Sequence, residues 1–243
     1  MVHGTTDWGD RNPKKITYTL SDMAELAVRM GSFVNYDRRG EITWLNGFDQ
    51  GGRDYQVTGT GVGNEVYLTC DQALNGGLCL VLKTGIAAGN VSEIDKYLRV
   101  PELGGIGIEA TFSPDTKTQS FYIWVTLYDG AIKWDFTWMY DHVAGTLHIW
   151  DKTLGNIIVG TPGILRDLFS NYHNFKVRFN TLTNKYMRAS IDSMDYELSS
   201  YDARVTADAT TPNMWVSWYA TGIGGGSSEV RLDNVIVTQS EPE

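Results

Sequence analysis

Two runs of strict alternation, separated by one turn dipeptide, set the tightest limit on what this chain can fold into. In Phe121 to Leu127 the apolar residues Phe121, Ile123, Val125 and Leu127 alternate with Tyr122, Trp124 and Thr126, and Tyr128 continues the second row. A period of two places the rows on opposite faces of a strand, whereas a helix would repeat its faces every three to four residues. Asp129-Gly130 is a turn sequence, after which Trp134, Phe136, Trp138 and Tyr140 share one face opposite Lys133, Asp135 and Thr137. The segment reads as a hairpin with an oily face and an aromatic one.

The same grammar runs through most of the chain. Strands are expected at Glu65 to Cys70, Leu78 to Lys83, Gly107 to Phe112, Thr146 to Trp150, Asn174 to Asn180, Lys185 to Asp192, Asn213 to Tyr219 and Glu229 to Thr238, punctuated by Gly, Asn, Asp and Pro. In several, such as Phe175, Val177 and Phe179 against Lys176, Arg178 and Asn180, an apolar row faces a polar one. Sheets with one face on a shared core and one face wet make a sandwich. About ten to twelve strands over residues 41–239, with 240–243 as a tail, predict an all-β jelly roll.

Residues 1–40 follow other rules. Lys15 to Leu20 suits a short strand, and Asp22 with Glu25 forms a capping box for a helix at about 22–30 that Gly31 ends. Leu20, Met23, Ala24, Ala27 and Met30 form its apolar face. One short helix makes no independent core. The expectation is an arm that docks on the following domain or on another subunit through Trp8, Leu20, Met23, Ala27 and Met30.

Composition removes several functions. With 29 acidic and 20 basic side chains the formal charge is −9, and Arg38-Arg39 is an isolated basic pair, so a nucleic-acid surface is not expected. No apolar run is long enough to span a membrane, and the N-terminus has neither the basic start nor the apolar stretch of a signal peptide, which points to synthesis in the cytoplasm. Cys70 and Cys79 are too few for a disulfide framework; they are core thiols or one cross-strand bridge around Asn75-Gly76-Gly77. His3, His142, His148 and His173 are dispersed and make no zinc spacing, and Gly59 to Gly63 lacks the following helix of a phosphate loop and reads as a turn. No Gly-x-Ser-x-Gly elbow occurs.

The order of landmarks from residue 47 resembles the concanavalin A-like lectin and glucanase superfamily. Gly47-Phe48-Asp49 is similar to its first strand, Gly76 to Leu82 to an early glycine-led strand, and Lys96 to Pro101 followed by Ile108 to Phe112 to the pair that starts the two sheets. Phe175-Lys176-Val177 resembles the strand before its outer hairpin, and Val230 to Val237 its closing strand. The resemblance implies a jelly roll that hosts hydrolases, lectins and structural modules alike. It also implies a possible structural Ca²⁺ at Asp233 with Asp49. Glucanases of the superfamily carry Glu-x-Asp-x-x-Glu on one strand; the nearest match, Glu93 to Leu98, has Leu98 in place of the last acid and reads as a solvated turn, so no catalytic residue is assigned. Separately, His3 to Gly9, Met23 to Arg29 and Tyr36 to Glu41 resemble openings of bacteriophage and prophage virion proteins.

Aromatic side chains two apart on a strand lie roughly 6.5 to 7 Å apart, so Tyr122, Trp124 and Tyr128, with Trp150, can present a flat saccharide-stacking stripe that Trp215 and Tyr219 extend. The alternative is a row covered by core or by a subunit interface. The leading expectation is a non-enzymatic structural protein, an accessory virion component such as a capsid decoration or minor capsid protein, assembled with protein subunits and homo-oligomeric. The second is a glycan-binding, lectin-like module, on a particle or extracellular. The third is a glycoside hydrolase of the laminarinase type.

Overall fold

The computed structural model describes residues 41–48, 54–74, 77–166 and 171–241. The arm of residues 1–40, with its expected helix at about 22–30 and Trp8, Leu20, Met23, Ala27 and Met30, lies outside them, as does Asp49. In chain order the strands are β1 (Glu41–Asn46), β2 (Gln56–Gly59), β3 (Glu65–Thr69), β4 (Cys79–Lys83), β5 (Val91–Leu98), β6 (Gly105–Ser113), β7 (Thr118–Tyr128) and β8 (Ile132–Asp141). They continue with β9 (Thr146–Asp151), β10 (Gly155–Gly160), β11 (His173–Asn180), β12 (Lys185–Ile191), β13 (Met194–Glu197), β14 (Arg204–Ala207), β15 (Asn213–Gly222) and β16 (Glu229–Gln239).

Two antiparallel sheets result. Sheet A runs β13, β12, β11, β6, β16, β4, β3, with β1 also on β16. Sheet B runs β10, β9, β8, β7, β15, β5, β2, with β14 also on β8. The strands beyond the expected count include β2, β13 and β14, four residues each with mostly exposed side chains, which leave no apolar alternation to read. The first strand ends at Asn46, before the Gly47-Phe48 expected to form it. Phe48 instead adopts a left-handed φ of 61°, donates its N–H to Asn46 Oδ1 at 2.7 Å, and buries its ring in the core.

The inner faces meet through aromatic contacts between sheets. Phe112 of β6 stacks on Phe121 of β7 at 4.4 Å, and Phe179 of β11 packs on Phe136 of β8 at 4.1 Å. The row Phe121, Ile123, Val125, Leu127 and the row Trp134, Phe136, Trp138, Tyr140 are both in this core, as their alternation required. One side chain also repairs the sheet. The outer edge of β8 pairs with β14 through Asp135 and with β9 from Trp138, which leaves Phe136 and Thr137 between them. Tyr186, buried on β12, fills this seam: its hydroxyl accepts the Thr137 N–H at 3.1 Å and donates to the Trp150 carbonyl at 2.8 Å. Unpaired buried backbone groups are costly, and the tyrosine supplies their partners.

The polar row of β11 is not wet. Lys176 is only 5% exposed, with Nζ 2.9 Å from Glu109 and 3.0 Å from Glu241, and Arg178 reaches Glu241 at 4.0 Å. Glu241 reaches this position because β6 carries glycine at two places. A Cβ on Gly105 would fall 2.1 Å from the Glu241 carbonyl oxygen, and one on Gly107 would fall 2.6 Å from its carboxylate. The cysteines are unbonded; Cys79 is buried, but Cys70 is exposed rather than a core thiol.

Candidate functional site

The outer face of sheet B gathers most of the chain's remaining chemistry. Strand register fixes it row by row. Tyr219 of β15 lies between Glu93 of β5 and Tyr122 of β7; Ser217 lies between Asp95 and Trp124; Trp215 lies between Tyr97 and Thr126. Thr58 of β2 is opposite Glu93 on the far side. Beyond β7 the rows continue to Met139 and Thr137 of β8, then to His148 of β9.

The rings form a ladder rather than a flat stripe. Tyr122 stacks on Tyr219 with centroids 4.2 Å apart and planes 9° apart. Trp215 is enclosed by Tyr97 at 5.9 Å and 8° on one side and by Trp124 at 5.7 Å on the other. A ring stacked on its cross-strand neighbour stands up from the sheet and gives that face away. Of the other stripe residues, Tyr128 sits at the end of β7 with Lys133 Nζ 5.9 Å from its ring, a cation–π contact. Trp150 is on the same face two strands from Trp124 and is 50% exposed. Burial pushes the hydroxyl of Tyr122 upward, and burial followed by the neighbouring Tyr122 and Glu93 does the same for Tyr219.

Beside the ladder stands a carboxylate pair that corrects the sequence reading. Glu93 and Asp95 are not in a solvated turn; they lie mid-strand in β5, on one face, and Asp95 is 4% exposed. Asp95 Oδ1 accepts the indole N–H of Trp215 at 2.8 Å and the Ser217 hydroxyl. The Thr58 hydroxyl stands 2.9 Å from Glu93 Oε2 and 3.3 Å from Asp95 Oδ2, within reach of both. Burial, and after it the charge of Asp95, raise the Glu93 carboxyl above its ordinary range. Asp95 is therefore fixed by hydrogen bonds from Trp215 and Ser217, and the Glu93 carboxyl beside it retains its proton more strongly than a free glutamate.

A third cluster closes the end of β5. Lys96 Nζ contacts Asp54 at 2.8 Å and lies 5.1 Å from the centre of the Trp44 ring, whose N–H donates to the same carboxylate. Burial opposes ionisation of Asp54, but Lys96, Trp44 and Asn46 hold its carboxyl below the usual range.

The implied calcium position behaves differently. Asp233 is buried on β16, and its Oδ2 accepts the backbone N–H of Leu74, so it holds the long β3–β4 loop against the sheet. Among the described residues no three of His, Cys, Asp and Glu gather in a way that would hold an ion, and Asp49, the other residue of the implied site, lies outside them.

Thr58, Glu93, Asp95, Tyr97 and Ser217 were not expected in this site. One signal was available: Glu93, Asp95 and Tyr97 are spaced by two, which puts them on one face if residues 91–98 form a strand.

No protein-family model matches the chain, and no curated protein is similar to it in sequence. Solved structures do superpose. A sialidase aligns with a TM-score of 0.51 at 9% identity, over 83% of this chain and 19% of its own length. The chain thus spans under a fifth of that protein. The exoplasmic/lumenal domain of VIP36, in a Ca²⁺/Man3GlcNAc-bound form, aligns at 0.49 and 10% identity, over 78% of this chain and 85% of its own. Peanut lectin aligns at 0.48 and 10%, over 80% and 95%. The fold is a jelly-roll β-sandwich of two antiparallel sheets, as the alternation in the sequence predicts.

Proposed function

We propose that this chain is a carbohydrate-binding jelly roll whose ligand surface is the outer face of sheet B. One observation carries the reading: strands β2, β5, β15 and β7 bring a ladder of aromatic rings and a hydrogen-bonded carboxylate pair onto the same face. Saccharides offer hydroxyls to carboxylates and apolar C–H faces to aromatic rings, and this face presents both partners side by side. The half-exposed Trp150 extends the surface across β9. The arm on which the virion reading partly rests lies outside the described residues, and nothing in the outer face of sheet B adds to that reading.

A glycan array tests the proposal. The wild-type protein is expected to select a defined set of glycans, and Trp150→Ala and Tyr122→Ala are expected to lower that binding at least about tenfold without loss of the folded state. An array without a hit, or variants that bind as wild type, would overturn it.

A further inference from the structure

Three observations single out the corner of the face where β5 meets β15. Glu93 and Asp95 lie on one face of β5, joined through the Thr58 hydroxyl. Among the described residues neither forms an ion pair: Lys96, next in the chain, is held by Asp54, and Lys133, on the same sheet face, is held by Asp135 at 3.0 Å. Finally, Tyr219 is the register partner of Glu93, and its ring is stacked on Tyr122 from the β7 side, so its other face is turned toward β5 and the glutamate.

Two adjacent carboxylates without a counter-ion, walled by an aromatic ring on the neighbouring strand, have the chemistry of a cation site. Hard divalent ions are poorly served, because two carboxylates and one hydroxyl fall short of the six to eight oxygens that Ca²⁺ takes. A ring face beside carboxylates suits an organic cation, which gains charge-assisted hydrogen bonds on one side and cation–π contact on the other. An anionic sugar would meet like charge. We propose that this corner is a subsite for a protonated amine carried by the saccharide, an amino sugar whose ammonium pairs with Glu93 and Asp95 and lies against the Tyr219 ring. The inference rests on the carbohydrate-binding reading and specifies its ligand class.

The titratable groups facing Glu93 are Asp95 from its own strand, Tyr219 from β15 and, behind it, Tyr122 from β7. None of these brings positive charge. Since burial and Asp95 favour the protonated glutamate, amine binding weakens as pH falls into the raised range of Glu93.

The test compares two trisaccharides by calorimetry on the full chain: one of N-acetylglucosamine, which is neutral, and one of glucosamine. The glucosamine trimer is expected to bind at least about tenfold more tightly near neutral pH. Glu93→Gln is expected to abolish the preference, and Tyr219→Leu, which changes no charge, to reduce it. Equal affinity for the two trisaccharides would overturn the amine subsite and leave the carbohydrate reading intact. Absence of binding by either, together with an empty glycan array, would remove both. A trilysine peptide that binds as tightly as the glucosamine trimer would overturn the saccharide assignment.

Discussion

The indole nitrogen of Trp215 stands 2.8 Å from Oδ1 of Asp95, which makes the ring ladder and the carboxylate pair one hydrogen-bonded structure. Removing the acceptor leaves two donors stranded, whereas changing its charge need not. Asp95→Ala is therefore expected to cost about 3 kcal/mol, since the Trp215 N–H and the Ser217 hydroxyl both lose their partner. Asp95→Asn keeps an oxygen in place and removes the repulsion toward Glu93, and is expected to change stability by less than about 1 kcal/mol. Urea unfolding at neutral pH measures both; a similar large loss for each would show that charge, not acceptor geometry, holds the ladder.

The raised carboxyl of Glu93 makes stability depend on pH in a direction opposite to most carboxylates. Between the ordinary carboxylate range and its raised value the folded state holds the proton more firmly than the unfolded chain, so the favourable contribution is present at lower pH and is lost as pH rises through the folded value. Glu93→Gln should remove this slope. Relative to wild type, the variant is expected to gain stability as pH rises from about 4 to 7, read from urea midpoints; a constant difference across that window would contradict the assignment.

At the far face of sheet A, Glu241 and Gly105 make a paired prediction. Glu241→Ala leaves the buried Lys176 with Glu109 alone of its two carboxylates and is expected to destabilise by about 3 kcal/mol. Gly105→Ala pushes a methyl group into the Glu241 carbonyl and is expected to cost about 1–3 kcal/mol. In a chain ending at Ser240 that clash is gone, so the alanine should then cost much less; a double-mutant cycle checks it.

The two thiols should report separately. Cys70 is exposed, whereas Cys79 is buried with burial raising its thiol first of all. One thiol per chain is expected to react rapidly with an aromatic disulfide in the native state and two after denaturation. Two native reactive thiols, or none, would refute this placement.

The sandwich was legible because its central strands alternate. β7 and β8 carry large apolar residues at every second position, and the closing strand 230–237 is apolar enough to be read through its polar interruptions. The carboxylate pair was hidden for the opposite reason. In Val91–Leu98 the inward row is Ser92, Ile94, Lys96 and Leu98, in which two of four residues are polar, so the strand loses the contrast that marks a buried face. Lys96 tolerates this because its amine escapes to Asp54 at the sandwich end. Lys176 misled in another way: alternation reports which residues share a face, but whether that face meets water depends on what the rest of the chain does, here Glu241 returning over the glycines of β6.

The place of β16 also fixes when the molecule can come into being. This strand, the latest of sheet A in chain order, is central in the sheet, bonded to β6 along one edge and to β4 and β1 along the other. A growing chain thus emerges from the ribosome with three strands of sheet A awaiting a neighbour that has not been synthesised. Loop closure over such separations is slow, and exposed strand edges are sticky in the meantime. The sandwich can close only once β16 has been synthesised, which makes chains interrupted before it candidates for chaperone capture rather than stable fragments.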